Sequence, residues 1–459
     1  MLENISLTNA LTIDCLTLLL CVGVAAFNVR SVLHPACMFL GLHFYIVTLR
    51  LLSLVNGGHP MRAIFDWPVA VPEVTRASFA CDIGLIAMAC GWLLAQHAAH
   101  RFGKSPLQIP KPVSIRRMKV VAGICFVLGI AGLILTGRNE SALNGSWRTS
   151  GYMSATSSWM SFSVLLLHYV YGFPKRLVLA TCIVLLVVGI SLSARAGVVI
   201  PIFFLLFLLL ARRRSRSIPV ILFPAVAGLI LLWLPMKPLT LALHSGVAPV
   251  EAMAFAVDTT LEDFSSQEGS IDQCFLDMIG ATMTLADLRG KWYWGATVAP
   301  LLVAPVPRIL WPAKPKLNQF QYDLDVPSRT IAKIGMTPGL VGEGYVNMGL
   351  AGVFLTCGLL SFGFTWAYFR VAPPSLIAPG LLKSPGLLLY LLFLSCSMQT
   401  YRDGLLSLVW FPFVYAAPVG LVAVSHWVFE CRTRTLDDFE RTRSERTGDF
   451  RLFMAGRAR

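Results

Sequence analysis

Long apolar runs alternate with short polar or basic stretches along nearly the whole chain. A helix needs about 20 mostly apolar residues to cross a bilayer. Eleven runs reach or approach that length: Thr8 to Phe27, Leu33 to Val55, Ala77 to Ala99, Met118 to Thr136, Trp159 to Phe173, Leu177 to Ala194, Gly197 to Ala211, Ile218 to Pro235, Leu340 to Phe369, Gly386 to Thr400 and Leu405 to Phe429. The fifth, seventh and tenth are short. The pattern predicts an all-α polytopic membrane protein with about eleven transmembrane helices. It divides into a bundle over 1–235 of about eight helices, a long loop over 236–339, about three more helices over 340–429, and a basic tail over 430–459.

Composition agrees. Hydrophobic residues make up 56% of the 459 and charged residues 14%, and the mean hydropathy is +0.68. Soluble domains carry about 25% charged residues, so a soluble body is excluded. Lys and Arg number 38 against 24 Asp and Glu, a formal charge of +14. In a polytopic protein such an excess collects in cytoplasmic loops and does not imply nucleic acid. The basic segments are HRFGKSPLQIPKPVSIRRMK, PKR after Phe173, RRRSRS from Arg212, and the tail from Arg432. All four share one side if the N-terminus is outside, which predicts an outer N-terminus and a cytoplasmic C-terminus.

Nearly all of the 11 cysteines lie in apolar runs, where a thiol packs as a small hydrophobe. No C-x-x-C pair and no H-E-x-x-H string occurs, so neither metal nor cofactor is expected. MLENISLTN has no basic n-region, so a cleaved signal peptide is not expected.

Long structureless loops are uncommon and usually functional. The 236–339 loop opens with the acidic EDFSSQEGSIDQ, continues through the aromatic KWYWG, and ends on the semi-apolar ATVAPLLVAPVPRILWP. A helix or hairpin at the membrane surface is expected there, with Trp292, Trp294 and Trp311 at headgroup level.

Arginines at the outer ends of helices carry the candidate chemistry. Arg195 sits in the tight SARAG connection, Arg402 in YRDG beside Asp403, and Arg308 in PRILWPAKP with Lys314 following. Arg138 and Arg148 lie in the loop GRNESALNGSWRTSGYM. A guanidinium stays charged and presents a planar fork that grips phosphate oxygens in pairs. Such groups at a membrane surface suit a lipid-linked diphosphate and stabilise charge developing on it as it leaves. The alternative is a set of interfacial arginines pairing headgroups or nearby acids.

Two residues are candidate proton acceptors. Glu343, in PGLVGEGYVNMG, lies just inside an apolar span, where a carboxylate is costly unless it is paired or functional. His244 has a side chain suited to proton transfer near neutrality, although one histidine in a long loop also fits a purely structural place. Asp323 and Asp325 form a D-x-D pair of the kind metal-dependent sugar transferases use, but acids at that spacing are common in loops. Glu262, Asp263 and Glu268 fit a solvated face, and Asp14 and Asp82, within or near spans, are expected to be paired or interfacial.

The order SARAG, a short helix, a long loop holding PRILWPAKP, GEGYVNMGLAG opening a span, then YRDG, resembles the bacterial oligosaccharide repeat-unit polymerases, the O-antigen or Wzy-type polymerases. The resemblance covers roughly Ser191 to Trp410. It implies a GT-C-like membrane glycosyltransferase with one long periplasmic loop, acting at the outer face of the inner membrane. Such enzymes move a growing chain from undecaprenyl diphosphate onto a sugar hydroxyl of the next undecaprenyl-diphosphate-linked oligosaccharide, with no nucleotide sugar and no metal called for. By this likeness Arg195, Arg308 and Arg402 bind diphosphate or acceptor, Lys314 assists, and Glu343 or His244 takes the hydroxyl proton. The implied partners are the lipid-linked oligosaccharide, the lipid bilayer, and a chain-length regulator and flippase of the same pathway. An O-antigen-type ligase uses the same donor. A transporter for such lipids predicts repeated halves and mid-membrane charges, and no internal repeat is seen.

Overall fold

The computed structural model describes residues 5–29, 31, 33–60, 69–102, 114–137, 156–192, 196–212, 238–239, 242–243, 246–265, 275–303, 306, 310–311, 313, 338–371, 385–426 and 428. Among the described residues all regular structure is helical. Among the described residues five helices are long and apolar enough to cross a membrane, or six if a bent pair near the C-terminus counts as one span.

The helices are α1 (Leu7–Asn28), α2 (Pro35–Val55), α3 (Val71–Phe102), α4 (Ile115–Gly137), α5 (Trp159–Tyr171), α6 (Lys175–Leu192), α7 (Ala196–Arg212), α8 (Pro249–Ser265), α9 (Phe275–Arg289), α10 (Ala299–Val303), α11 (Gly339–Val371), α12 (Pro385–Asp403) and α13 (Leu405–Trp410). They fall on ten of the eleven expected spans and on parts of the long loop. The expected span from Ile218 to Pro235 and the basic tail lie outside the described residues.

Local chemistry explains several of the boundaries. Ser6 caps α1 by accepting the Asn9 N–H at 3.3 Å. His34 Nδ1 accepts the Ala36 N–H at 3.2 Å, and Pro35 follows at the first helical position, where its missing N–H costs nothing. Three expected spans are not straight. α2 runs through a π-turn at Phe44–Thr48. α11 breaks at Met348 and Gly349, which leaves Gly339 to Asn347 as a separate two-turn piece. The last expected span bends by 71° between Leu405–Val414 and Ala417–His426.

α1 shows which solvent the bundle is built for. Its buried face is Ala10, Asp14, Cys21 and Ala25, small or polar side chains at helical spacing. Its exposed face is Leu16, Leu19, Leu20 and Phe27, the last 91% accessible. α4 likewise exposes Ile124, Val127 and Ile134. Contiguous large apolar faces turned outward suit hydrocarbon rather than water.

At the centre, α3 and α11 run side by side in the same direction and make the largest helix contact. Small residues let them approach: a Cβ on Gly91 would stand 2.5 Å from the Gly358 carbonyl oxygen. The Ser361 hydroxyl donates to the Met88 carbonyl at 2.9 Å. α1, α9 and α12 surround this pair, and α4 to α7 extend the bundle through α7 against α12.

α9 departs from expectation. It belongs to the segment read as a surface loop, yet eleven of its residues, Phe275 through Met283 with Leu285 and Ala286, are buried, and the helix packs against α3 and α11. A fully buried ion pair anchors it. Arg50 of α2 donates Nε to Asp277 Oδ1 at 3.1 Å and an Nη to Oδ2 at 2.6 Å, with a further bond to the His59 carbonyl at 3.0 Å.

Candidate functional site

Two of the sequence-predicted residues, Glu343 and Arg402, meet at one end of the bundle. α11 begins at Gly339 and α12 ends at Asp403, and the two helix ends abut. Gly339 (φ +64°) sits so close that a Cβ would lie 3.0 Å from the Tyr401 carbonyl oxygen and 3.1 Å from that of Arg402. Gly404 (φ +88°) turns the chain between α12 and α13, and a Cβ there would meet Glu343 Oε2 at 2.5 Å. Both angles favour glycine, and a Cβ at either position would displace these neighbours.

Glu343 is 5% exposed. Its Oε2 accepts the Leu405 N–H at 2.8 Å, and the Thr297 hydroxyl bonds to the same carboxyl group. Both partners are neutral, and among the described residues no lysine or arginine pairs with it. The expectation left open an arginine-paired structural role; the described contacts instead give a buried carboxylate held by two neutral donors.

Arg402 projects from the last turn of α12. Its guanidinium carbon lies 4.5 Å from the centre of the Phe275 ring, and Nε stands 3.5 Å from Asp403 Oδ1. Gln399 donates to the other oxygen of Asp403. The side chain is 12% exposed, so it retains a path to the surface.

The KWYWG segment closes this end. Asn347, the last residue before the α11 break, organises it: Nδ2 donates to Thr297 Oγ1 at 2.7 Å and to the Glu343 carbonyl at 2.8 Å, while Oδ1 accepts the Gly295 N–H at 2.9 Å. Backbone bonds from Tyr293 to Val346 and from Trp294 to Asn347 tie the segment to α11. Trp292 is half-buried, its ring edge-on to that of Tyr345 at 5.7 Å. Trp294 is 73% exposed and adopts φ +49°, a conformation that costs a bulky residue energy. Trp311 is 40% exposed.

Beside this lies a partly exposed ion pair that sequence reasoning did not single out. Arg76 of α3 contacts both Asp287 and the Tyr345 hydroxyl, which donates to Asp287 Oδ1 at 2.9 Å. Arg50 and Asp277 were also missed. A charge inside the apolar run YIVTLRLLSLV was a signal for Arg50, whereas nothing local marks Asp277. Asp14 and Asp82 are both buried, and Asp14 is paired with His43 at 2.8 Å.

The other candidates, Arg195, Arg308, Lys314, Arg138, Arg148 and His244, lie outside the described residues, as do Asp323 and Asp325. Comparison of the chain with protein-family models, with characterised proteins and with solved structures finds no match.

Proposed function

We propose that the protein is a membrane glycosyltransferase that polymerises lipid-linked oligosaccharide repeat units. It takes undecaprenyl-diphosphate-linked chains as donor and the next lipid-linked unit as acceptor. About eleven spans, a GT-C-like arrangement, a periplasmic N-terminus and a cytoplasmic C-terminus belong to the same reading. On it, the end of the bundle holding Glu343 and Arg402 faces the periplasm.

The observation that carries this reading is the meeting of Glu343 with the Arg402 to Leu405 turn. A buried carboxylate with neutral partners accepts the proton of the acceptor hydroxyl. The hydroxyl oxygen attacks the anomeric carbon of the donor, the bond from that carbon to the diphosphate oxygen breaks, and the negative charge passes to the departing diphosphate. Arg402 neutralises that charge, and Arg195, Arg308 and Lys314 add to it. Trp294, held outward, offers an aromatic face on which a sugar ring can stack. Covering the site with the KWYWG segment excludes water, which would otherwise hydrolyse the donor.

Deletion of the gene in its host, followed by electrophoresis of surface polysaccharide, tests this. Loss of the polymer ladder with single units still attached supports a polymerase. Loss of every attached unit would mean a ligase instead, and an unchanged ladder would remove both.

A further inference from the structure

Close to the Glu343 junction, where Tyr401 of α12 reaches His43, α1, α2 and α3 each contribute one buried metal-ligating side chain to a single point. Asp14, His43 and Asp82 offer ligand atoms that all lie within 4.8 Å of one another, and all three are buried. Asp82 lies eleven residues into α3 from Val71, about 16 Å along the helix. No sequence spacing announces this set, since each ligand comes from a different helix.

Two carboxylates face one imidazole nitrogen. Asp14 Oδ1 stands 2.8 Å and Asp82 Oδ1 3.5 Å from His43 Nε2. Nε2 carries at most one hydrogen, and Asp14 occupies its better position. Both oxygens of Asp82, a residue 4% exposed, are left without a hydrogen-bond partner. A bare carboxylate deep in an apolar bundle is strongly disfavoured unless a cation meets it. The flanking groups match the outer partners of a metal site. Thr48 donates to Asp14 Oδ2 at 2.6 Å, and the Tyr401 hydroxyl faces His43 Nδ1 at 3.4 Å, which leaves Nε2 toward the carboxylates.

We propose that Asp14, His43 and Asp82 form an intramembrane binding site for a divalent transition-metal ion. Two carboxylates and a neutral imidazole balance a 2+ charge, so the loaded site is neutral in a low-dielectric interior. The mixed imidazole and carboxylate set suits zinc-class ions and disfavours sodium or calcium. Zinc bonds of about 2.0–2.2 Å place ligand atoms roughly 3–3.5 Å apart. The His43 to Asp82 separation already fits, and the His43 to Asp14 separation falls about half an ångström short of it. The ion cross-links three helices.

The test uses the full-length protein, stripped with chelator, reloaded with Zn2+ in lipid nanodiscs and desalted. Elemental analysis should give about one zinc per chain, falling at least tenfold in Asp82→Asn. X-ray absorption should show one imidazole in an otherwise oxygen shell, lost in His43→Gln. Should either variant fail to fold, two further measurements decide. Zinc should raise the thermal midpoint of the wild-type protein, and Thr48→Ala should weaken binding by about 10- to 100-fold. Wild-type protein that retains no zinc and shows no midpoint shift would overturn the proposal, as would Asp82→Asn retaining as much zinc as wild type; either result leaves the triad as a shared-proton contact only.

Discussion

Glu343 Oε2 accepts the backbone N–H of Leu405 at 2.8 Å, so the carboxylate of one helix closes the turn that follows Arg402 on another. The two residues are far apart in sequence, and glycines at 339 and 404 remove the side chains that would keep them apart. The acid and the cation are thus held by the same packed junction.

Replacing the acid while keeping its shape separates chemistry from folding. Glu343→Gln can still accept the Leu405 N–H through its amide oxygen, so the fold should persist. Loss of a general base typically costs about 10²- to 10⁴-fold in rate. Initial rates of polymer formation, set beside an unchanged melting profile, check this. Normal rates in the Gln variant would remove Glu343 from the mechanism.

Gly404→Ala should lower both stability and activity. Its φ of +88° strains any side chain, and a methyl group would have to push Glu343 Oε2, 2.5 Å away, off its position. Strain of this kind costs roughly 1–3 kcal/mol, measurable as a lower denaturation midpoint in detergent. A variant as stable as wild type would mean that the junction is looser than described.

Trp294 separates the two effects in the opposite direction. Its left-handed backbone suits glycine, so Trp294→Gly should leave stability unchanged or raise it by up to about 1 kcal/mol. If the exposed ring stacks on a sugar, kcat/KM for the oligosaccharide should fall about tenfold. An unaltered kcat/KM would return the ring to the lipid interface.

The α9 anchor gives a stability prediction. Removing one member of the buried Arg50 and Asp277 pair strands the other charge, so Arg50→Met should destabilise by about 3–5 kcal/mol. Adding Asp277→Leu should recover most of that loss, because the pair as a whole gains little over well-packed apolar side chains. Equal instability in the single and double variants would contradict this account.

Much of the architecture was legible from hydropathy alone, because a bilayer imposes long apolar runs. Glu343 and Arg402 stood out for the same reason: a charge at the edge of such a run is costly and needs an explanation. What hydropathy could not convey was tertiary. α9 reads as part of a polar loop, yet Arg50 draws Asp277 into the interior. The break at Met348 and Gly349 lies in an apolar stretch where hydropathy does not change. The histidine at position 43 gains meaning only when three helices bring Asp14 and Asp82 to it.

The central claim is that Glu343 and Arg402 serve sugar transfer from a lipid diphosphate. Turnover of a defined undecaprenyl-diphosphate oligosaccharide by the purified protein tests it most directly. The account predicts longer lipid-linked chains with release of undecaprenyl diphosphate, at least 100-fold slower in Glu343→Gln and slower in Arg402→Lys, whose point charge lacks the planar fork. Chains that never lengthen with folded wild-type protein, or that lengthen equally in both variants, would contradict it.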